Sequence, residues 1–453
     1  METIEFRVAV ISADTRKIMS VQTSDGHGLP SVIIPVVGRV AELLQTAMDT
    51  TWGVHILLLK TLEAEDGFPP CVIAEQLVAP NNSAFSMICL DSLAVSAIHD
   101  RQRSQLAALI TGDSVTRFTR IGWIDEAIRW VEASVGSQVS SKRCIQQFGV
   151  GENSALLRFQ TVSSQFIWMK ATGHTQEHEL ALTSLLSHLS PGHLPKCFGT
   201  RSSWNAWLTD GGPSKGIAHT KAIEQMDVVA QSLAELQMNT VEWGEELLAA
   251  GAIDQRSATL RRQVPMVFEY LEEAMLLPIE GQARRLDVAR VRELCEMFSN
   301  IFDRLETINL PDAVLHGDFH LDNIVSTPHG YQFIDWCEGY FGMPLIAFQH
   351  LLLLHRSDRA GADSCIEDAL WLRYCEPWKR RCSAEVLEHA VVYMPIVAAF
   401  SALYGRGDWL TGPERDQPRV QKYARNLTRI MNSAAGSPAL LQALETKTYR
   451  YLA

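Results

Sequence analysis

The sequence predicts a multidomain protein of mixed α/β and α+β class: an N-terminal α/β domain over residues 1–130, then a two-lobed domain with a small mixed lobe at 131–213 and a helical large lobe at 214–453. Three observations lead there. The chain has 453 residues, more than a typical single domain. Its first third reads strand, helix, strand. From about residue 140, short strand-like runs broken by turn residues give way to long stretches with apolar residues at helical spacing.

In the first third, Phe6 to Ile11 and Val54 to Leu59 are aliphatic runs of strand length, and Arg39 to Met48 lies between them with helical periodicity. Leu29-Pro30 precedes that helix and Trp52-Gly53 follows it. Asp125 to Val135 is a short amphipathic helix that joins the domains, which sets the border near residue 130. In the small lobe, Phe148-Gly149-Val150-Gly151-Glu152-Asn153-Ser154 is a glycine-containing turn. Backbone amides at Gly149 and Gly151 can approach phosphates there; Ser154 stands where a third glycine would complete the pattern, and an ordinary hairpin turn would give the same letters.

Ser164 to Lys170 reads as a strand ending in the only lysine between Lys142 and Lys196, and His178 to Leu186 as a helix. Leu194 to Thr200 and Trp204 to Gly212 read as two strands and a glycine break. The large lobe opens with helical stretches Ala222 to Val241 and Val288 to Ile308, the second ending at Asn309-Leu310-Pro311. The longest apolar stretch, Ala390 to Tyr404, contains Pro395 and Ser401. It is shorter than the roughly 18 residues of a membrane span and reads as one bent, buried helix, so no membrane partner is expected.

Chemistry concentrates in His316-Gly317-Asp318-Phe319-His320-Leu321-Asp322-Asn323 and Phe333-Ile334-Asp335-Trp336. Protein kinases use a loop Asp to receive the acceptor's hydroxyl proton, an Asn five residues on to bind Mg²⁺, and a later Asp to hold the metals that bridge the nucleotide phosphates. Asp318 and Asn323 have that offset. Asp335 ends the apolar run Tyr331-Gln332-Phe333-Ile334 after a turn at Pro328-His329-Gly330, so a hairpin brings the three together. Asx-rich turns and strand ends produce either motif singly; their conjunction points to phosphoryl transfer. The same chemistry needs a strand lysine on the α- and β-phosphates, pinned by a helix glutamate. Lys170 takes the first place and Glu179 the second, with Glu177 as the alternative partner.

These motifs resemble the aminoglycoside phosphotransferase family, which includes choline kinase-like enzymes and carries HGDxHxxN and IDW. The resemblance covers roughly residues 140 to 430 and implies a two-lobed protein-kinase-like phosphotransferase domain. By it, Asp318 is the catalytic base, Asn323 and Asp335 are the metal ligands, His316 supports the loop, and Thr209, Asp210 and Gly211 form the hinge whose backbone bonds the adenine. Tyr340-Phe341-Gly342-Met343-Pro344 matches the family's glycine-proline turn. An Asp found just beyond it in the family is absent here, Ala347 standing near its place. The N-terminal domain is similar to the Nudix layout in element order alone: a working Nudix helix needs several glutamates, and this one contains Glu42 only. A degenerate, structural or regulatory domain is expected.

Composition bounds the rest. With 47% hydrophobic and 20% charged residues the chain is globular, and its net charge of −12 argues against nucleic-acid binding while suiting a cationic acceptor. Nine cysteines without C-x-x-C spacing, and no basic, apolar leader, favour reduced thiols in a cytoplasmic setting. Acidic residues of the large lobe, Glu367, Asp368, Glu376, Asp408, Glu414 and Asp416, either line a cationic pocket or are solvated. The expected activity is a small-molecule kinase using ATP or GTP with Mg²⁺ on a hydroxyl acceptor; the alternative is a catalytically inactive nucleotide-binding pseudokinase. Nothing in the sequence sets an oligomeric state or chooses the acceptor.

Overall fold

The computed structural model describes residues 2–78, 85–113, 115–173, 176–212, 224–276, 286–358, 364–405 and 407–445. These residues form a mixed α/β chain with 14 α-helices and four sheets. Contacts divide it into two units, Met1–Leu180 with Lys196–Gly212, and Ala181–Pro195 with Pro213–Ala453.

The first unit contains two sheets. Strands β1 (Thr3–Ile11), β2 (Ile18–Thr23), β3 (Gly26–Gly28), β4 (Ser31–Pro35), β5 (His55–Leu62), β6 (Cys71–Val78) and β7 (Ser86–Ile88) form a seven-stranded sheet in the order β3-β2-β1-β6-β5, with β4 on β1 and β7 on β2. Only the β1–β6 pairing is parallel. Side chains alternate across a strand, and here both faces are apolar. Phe6, Val8 and Val10 of β1, with Ile56, Leu58, Val72 and Ala74, face helix α1 (Val40–Trp52) through Ala41, Leu44 and Met48.

The opposite face, Ala9, Ile11, Leu57, Leu59 and Ile73, joins a second core that includes α2 (Asp100–Thr111) and α3 (Trp123–Val135). That core continues without a break into Leu157, Phe159, Ile167, Met169 and Leu208 of the second sheet. This sheet is antiparallel, in the order β11-β12-β10-β9-β8, from β8 (Gln146–Val150), β9 (Ala155–Gln160), β10 (Phe166–Ala171), β11 (Cys197–Arg201) and β12 (Ala206–Thr209). Phe118, Trp123 and Trp204 meet edge to face across it, with centroids 4.9 to 6.1 Å apart. Shared burial of this kind, at about 1.5–3 kcal/mol for each large apolar side chain, explains why the two sheets cluster as one unit. The Nudix-like layout gains no support: Asp49, near the end of α1, pairs with Arg143 at 3.3 Å.

Helix α4 (His178–Leu189) contains the division between units, after Leu180. The second unit is mainly helical: α5 (Met226–Met238), α6 (Gly244–Ala249), α7 (Ser257–Leu276), α8 (Val288–Ile308), α9 (Leu345–Asp358), α10 (Ser364–Trp378), α11 (Ala384–Val391), α12 (Met394–Tyr404), α13 (Pro418–Ala435) and α14 (Pro438–Glu445). Its core contains Phe268, Phe298, Phe302 and Phe400, with neighbouring rings 4.9 to 6.4 Å apart. Strands β13 (Ile253–Gln255), β14 (Ala313–Leu315) and β17 (Tyr340–Gly342) make a three-stranded sheet in the order β13-β17-β14, and β15 (Ile324–Thr327) pairs with β16 (Gly330–Phe333).

Two helices differ from expectation. The stretch Ala390 to Tyr404 is not one bent helix: α11 ends at Val391 and α12 starts at Met394, with Pro395 in its first turn. Proline lacks an amide hydrogen and clashes with the preceding turn, so a helix interior disfavours it, although α7 contains Pro265, whereas a first turn accepts it. Residues 222 and 223 of the expected Ala222 to Val241 helix lie outside the described residues; α5 ends at Met238 and a short 3₁₀ turn, Val241–Trp243, follows. No single helix among the described residues is long and apolar enough to cross a membrane.

Candidate active site

Helix α8 ends at Asn309, which takes a left-handed conformation (φ 53°), and the chain turns into β14. A buried polar network holds that strand. Thr240 Oγ1 accepts from Val314 N–H at 3.1 Å, Gln237 Nε2 donates to the Val314 carbonyl at 3.3 Å, and Tyr374 donates to Gln237 Oε1 at 2.6 Å. Pro344 O accepts from Gln237 Nε2 at 3.2 Å and lies 3.0 Å from the Tyr374 hydroxyl, whose one hydrogen the two acceptors share. The turn after Asp335 is therefore tied to the strand before His316.

From β14 the chain enters His316-Gly317-Asp318. The buried His316 ring donates from Nε2 to Ile334 O at 2.7 Å and lies 4.6 Å from the Trp336 ring. Burial lowers its pKa, so the ring is neutral and this bond fixes the Nε2–H tautomer. Gly317 has φ +73°, and a Cβ there would overlap the backbone oxygen of Glu338. Both facts require glycine. Asp318 N–H then closes a tight turn on His316 O at 2.8 Å.

Asn323 sits in the 3₁₀ turn Leu321–Asn323, buried. Its Nδ2 donates to Asp318 O at 3.0 Å and to Asp318 Oδ2 at 3.3 Å. Both acceptors lack hydrogens, so chemistry fixes the amide's orientation and leaves Oδ1 on the other side. Ile334 N–H donates to Asn323 O at 3.1 Å, which seats the residue before Asp335 directly on the Asp318–Asn323 loop. Asp335 has φ +67°. A left-handed Asp costs about 1–2 kcal/mol and persists only where its surroundings impose it. Trp336, fully buried, provides that constraint by donating Nε1–H to Phe333 O at 3.1 Å. Asn323 Oδ1 and the Asp335 carboxylate are hard oxygen donors of the kind that suits Mg²⁺.

One contact in the loop was not read from the sequence: His320 Nε2 lies 3.2 Å from both Asp318 Oδ2 and Asn323 Nδ2. The spacing of the motif marked His320 as a loop residue without saying which way its ring turns. His350, on α9, was missed altogether because it sits in an apolar run with no signal. It lines an open groove of about 350 Å³ with Asp318, Phe319, Leu353 and Ala402. Burial pushes His350 down to about 4, so at neutral pH it places no cation near Asp318. A second cavity of about 330 Å³ shares Ala402 and is lined by Glu338, Tyr340, Asp408, Trp409, Glu414 and Tyr423. Glu414 also pairs with Arg419 at 3.4 Å.

The remaining candidates lie in the first unit. Lys170, on β10 between β9 and β12, donates from Nζ to Glu179 Oε1 at 2.6 Å. Glu179 is fully buried in the first turn of α4, where the helix dipole favours a carboxylate. Glu177 uses its backbone carbonyl to accept from Asn205 Nδ2 at 3.2 Å. Gly149 follows an irregularity in the β8–β9 register, and Gly151 opens the turn to β9. Thr209 ends β12 and donates to Gly211 O at 2.8 Å, while Asp210 Oδ1 accepts from Lys196 N–H at 2.9 Å.

No protein-family description matches the chain, and no curated protein does. Among solved structures, the chain is similar to a choline/ethanolamine kinase family protein from Mesorhizobium loti, 12% identical over 71% of this chain and 97% of that one, TM-score 0.46. It is also similar to a choline kinase from Cryptosporidium parvum, 10% identical over 71% and 98%, TM-score 0.48. A macrolide 2'-phosphotransferase from Brachybacterium faecium is 14% identical over 67% and 96%, with a TM-score of 0.45.

Proposed function

We propose that this chain is a small-molecule kinase that transfers the terminal phosphoryl group of ATP or GTP to an acceptor hydroxyl with Mg²⁺. The observation that carries the reading is the double tie of Asn323: its amide holds Asp318, and its carbonyl holds the residue preceding Asp335. In this reading the Asp318 carboxylate orients the acceptor and takes its proton as the new P–O bond forms. The bond to the departing nucleoside diphosphate breaks in the same displacement. Asn323 Oδ1 and the Asp335 carboxylate would hold Mg²⁺, which would supply neutralisation of phosphate charge. Lys170, kept in place by Glu179, directs its ammonium to the phosphates, and Thr209 to Gly211 offer backbone groups to the base. Catalysis of this type is mainly positioning and electrostatics.

The acceptor side is served by the paired cavities. Three carboxylates and three aromatic rings in the second cavity suit an alcohol that also carries an ammonium group, through charge and cation–π attraction. The test is nucleotide consumption by the full chain with Mg²⁺ and ATP or GTP, across amino alcohols, aminoglycosides, neutral sugars and nucleosides. Turnover with an amine-bearing alcohol, lost in Asp318→Asn, is expected. Turnover that Asp318→Asn leaves intact would refute the assignment of the base.

A further inference from the structure

The glycine turn between β8 and β9 is anchored by residues far earlier in the chain. β5 and β8 are edge strands of their sheets, and glutamine side chains bridge them. Gln147 Oε1 accepts from Leu58 N–H at 2.8 Å, and its Nε2 donates to Leu58 O at 3.0 Å. The amide thus fills the two backbone bonds that a neighbouring strand would make. Gln147 N–H in turn donates to Gln45 Oε1 at 3.2 Å, and Gln45 Nε2 donates to Ile56 O at 2.8 Å and Ile145 O at 3.1 Å. Gln147 and Gln45 are 1% and 5% exposed. Register irregularities fall at Leu58/Lys60 in β5 and Gln147/Gly149 in β8, on both sides of this bridge.

Beyond the bridge, the tip of the turn is tied as well. Glu152 O accepts from Thr116 Oγ1 at 2.6 Å and from Phe118 N–H at 3.3 Å, and the Glu152 carboxylate pairs with Lys60 Nζ at 2.9 Å. Gly149 and Gly151 therefore sit between two anchorages, one buried and one at the surface, both supplied by residues 45 to 118. A glycine turn left to itself would lose conformational entropy when it closes on a ligand. Ordering it beforehand removes that cost from binding.

We infer that the N-terminal region is a positioning element for the nucleotide: through Gln147, Thr116 and Lys60 it presets the Gly149–Gly151 turn for phosphate binding. The inference rests on the kinase reading above. None of the three side chains need touch the nucleotide; they act through the turn.

The test compares full-length wild type with Thr116→Val and Lys60→Met, singly and combined, by calorimetric titration with ATP or GTP in the presence of Mg²⁺. The combined variant should bind about fivefold more weakly, as expected for losing one hydrogen bond and a modest ion pair. Its thermal midpoint should fall by no more than about 2–4 °C, and hydrogen exchange at residues 151–154 should speed up. Lys60→Glu should weaken binding, and the exchange of charges in Lys60→Glu/Glu152→Lys should restore it; a purely structural role would instead lower the thermal midpoint in step with affinity. Asp335→Ala runs in parallel. If wild type binds nucleotide and Asp335→Ala does not, while the combined variant binds like wild type, the positioning role is refuted and the kinase reading stands. A wild type that fails to bind ATP or GTP overturns both.

Discussion

The chain has two candidate glycine-bearing loops, one in each unit, and they use glycine for different reasons. At Gly317 the backbone is left-handed and a Cβ would overlap the Glu338 carbonyl, so two independent constraints exclude every other residue. At Gly151 the backbone is not left-handed, and a Cβ would meet only the hydroxyl of Ser154, which can rotate away. The first glycine sets the path of the His316–Asp318 turn. The second permits close approach in a turn whose path is set from outside, by Leu58, Gln45, Thr116 and Lys60 acting on Gln147 and Glu152. A glycine in a motif is thus obligatory only where the surrounding backbone has closed on it.

The comparison predicts a graded response. Gly317→Ala should abolish turnover and destabilise the second unit by roughly 3 kcal/mol or more, from left-handed strain and a clash with backbone; chemical denaturation and activity assays together measure both, and a native-like, active variant would break the comparison at its stronger end. Asp318→Asn should lower turnover by about 10²–10⁴-fold while nucleotide affinity changes little, because the amide is isosteric. Asp335→Ala should cost more nucleotide affinity than Asp318→Asn, and equal losses in a Mg²⁺-dependent titration would contradict the division of roles.

A smaller effect concerns Asp312, at the entry to β14. Burial raises its carboxyl from 3.8 to about 6, with Arg256 opposing and Asp254 adding to the shift. A raised carboxyl favours the protonated folded state, so stability present below pH 3.8 is lost as pH rises through about 6. Asp312→Asn should therefore stabilise the protein by about 1–3 kcal/mol at pH 7.5 and less at pH 5, as read from denaturant midpoints at the two values. No gain at pH 7.5 would mean that the carboxylate is compensated. Gly151→Ala should be the mildest change, within about 1 kcal/mol in stability, with nucleotide affinity reduced only slightly; a loss as large as that of Gly317→Ala would erase the distinction between the loops.

Much of this was legible in the sequence where pattern and distance along the chain are short. Helix Val288–Ile308 follows from its apolar stripe and its Asn309-Leu310-Pro311 stop, and the β15–β16 hairpin from the turn residues between two strand-like runs. The proximity of Asp318 and Asn323 is implied by their spacing. Other features leave no local trace. Three-residue strands such as β13, β14 and β17 are too short to show a period. The Gln237–Tyr374 bond and the Gln147–Leu58 bridge join residues separated by 137 and 89 positions, and a glutamine looks the same in sequence whether it is solvated or seals a strand edge. The split between α11 and α12 was hidden because a proline can bend a helix or begin one.

The glutamine bridge bears on how the protein can be divided. A cut near residue 130 or 140 looks natural from motif order, since every candidate catalytic residue lies beyond it. It would take Leu58 and Gln45 away from β8, leaving the Gln147 side-chain amide, its N–H and the Ile145 carbonyl without these partners and stripping part of an apolar core from the second sheet. A protein shortened there should expose that apolar face and self-associate, and its insolubility would then say nothing about catalysis.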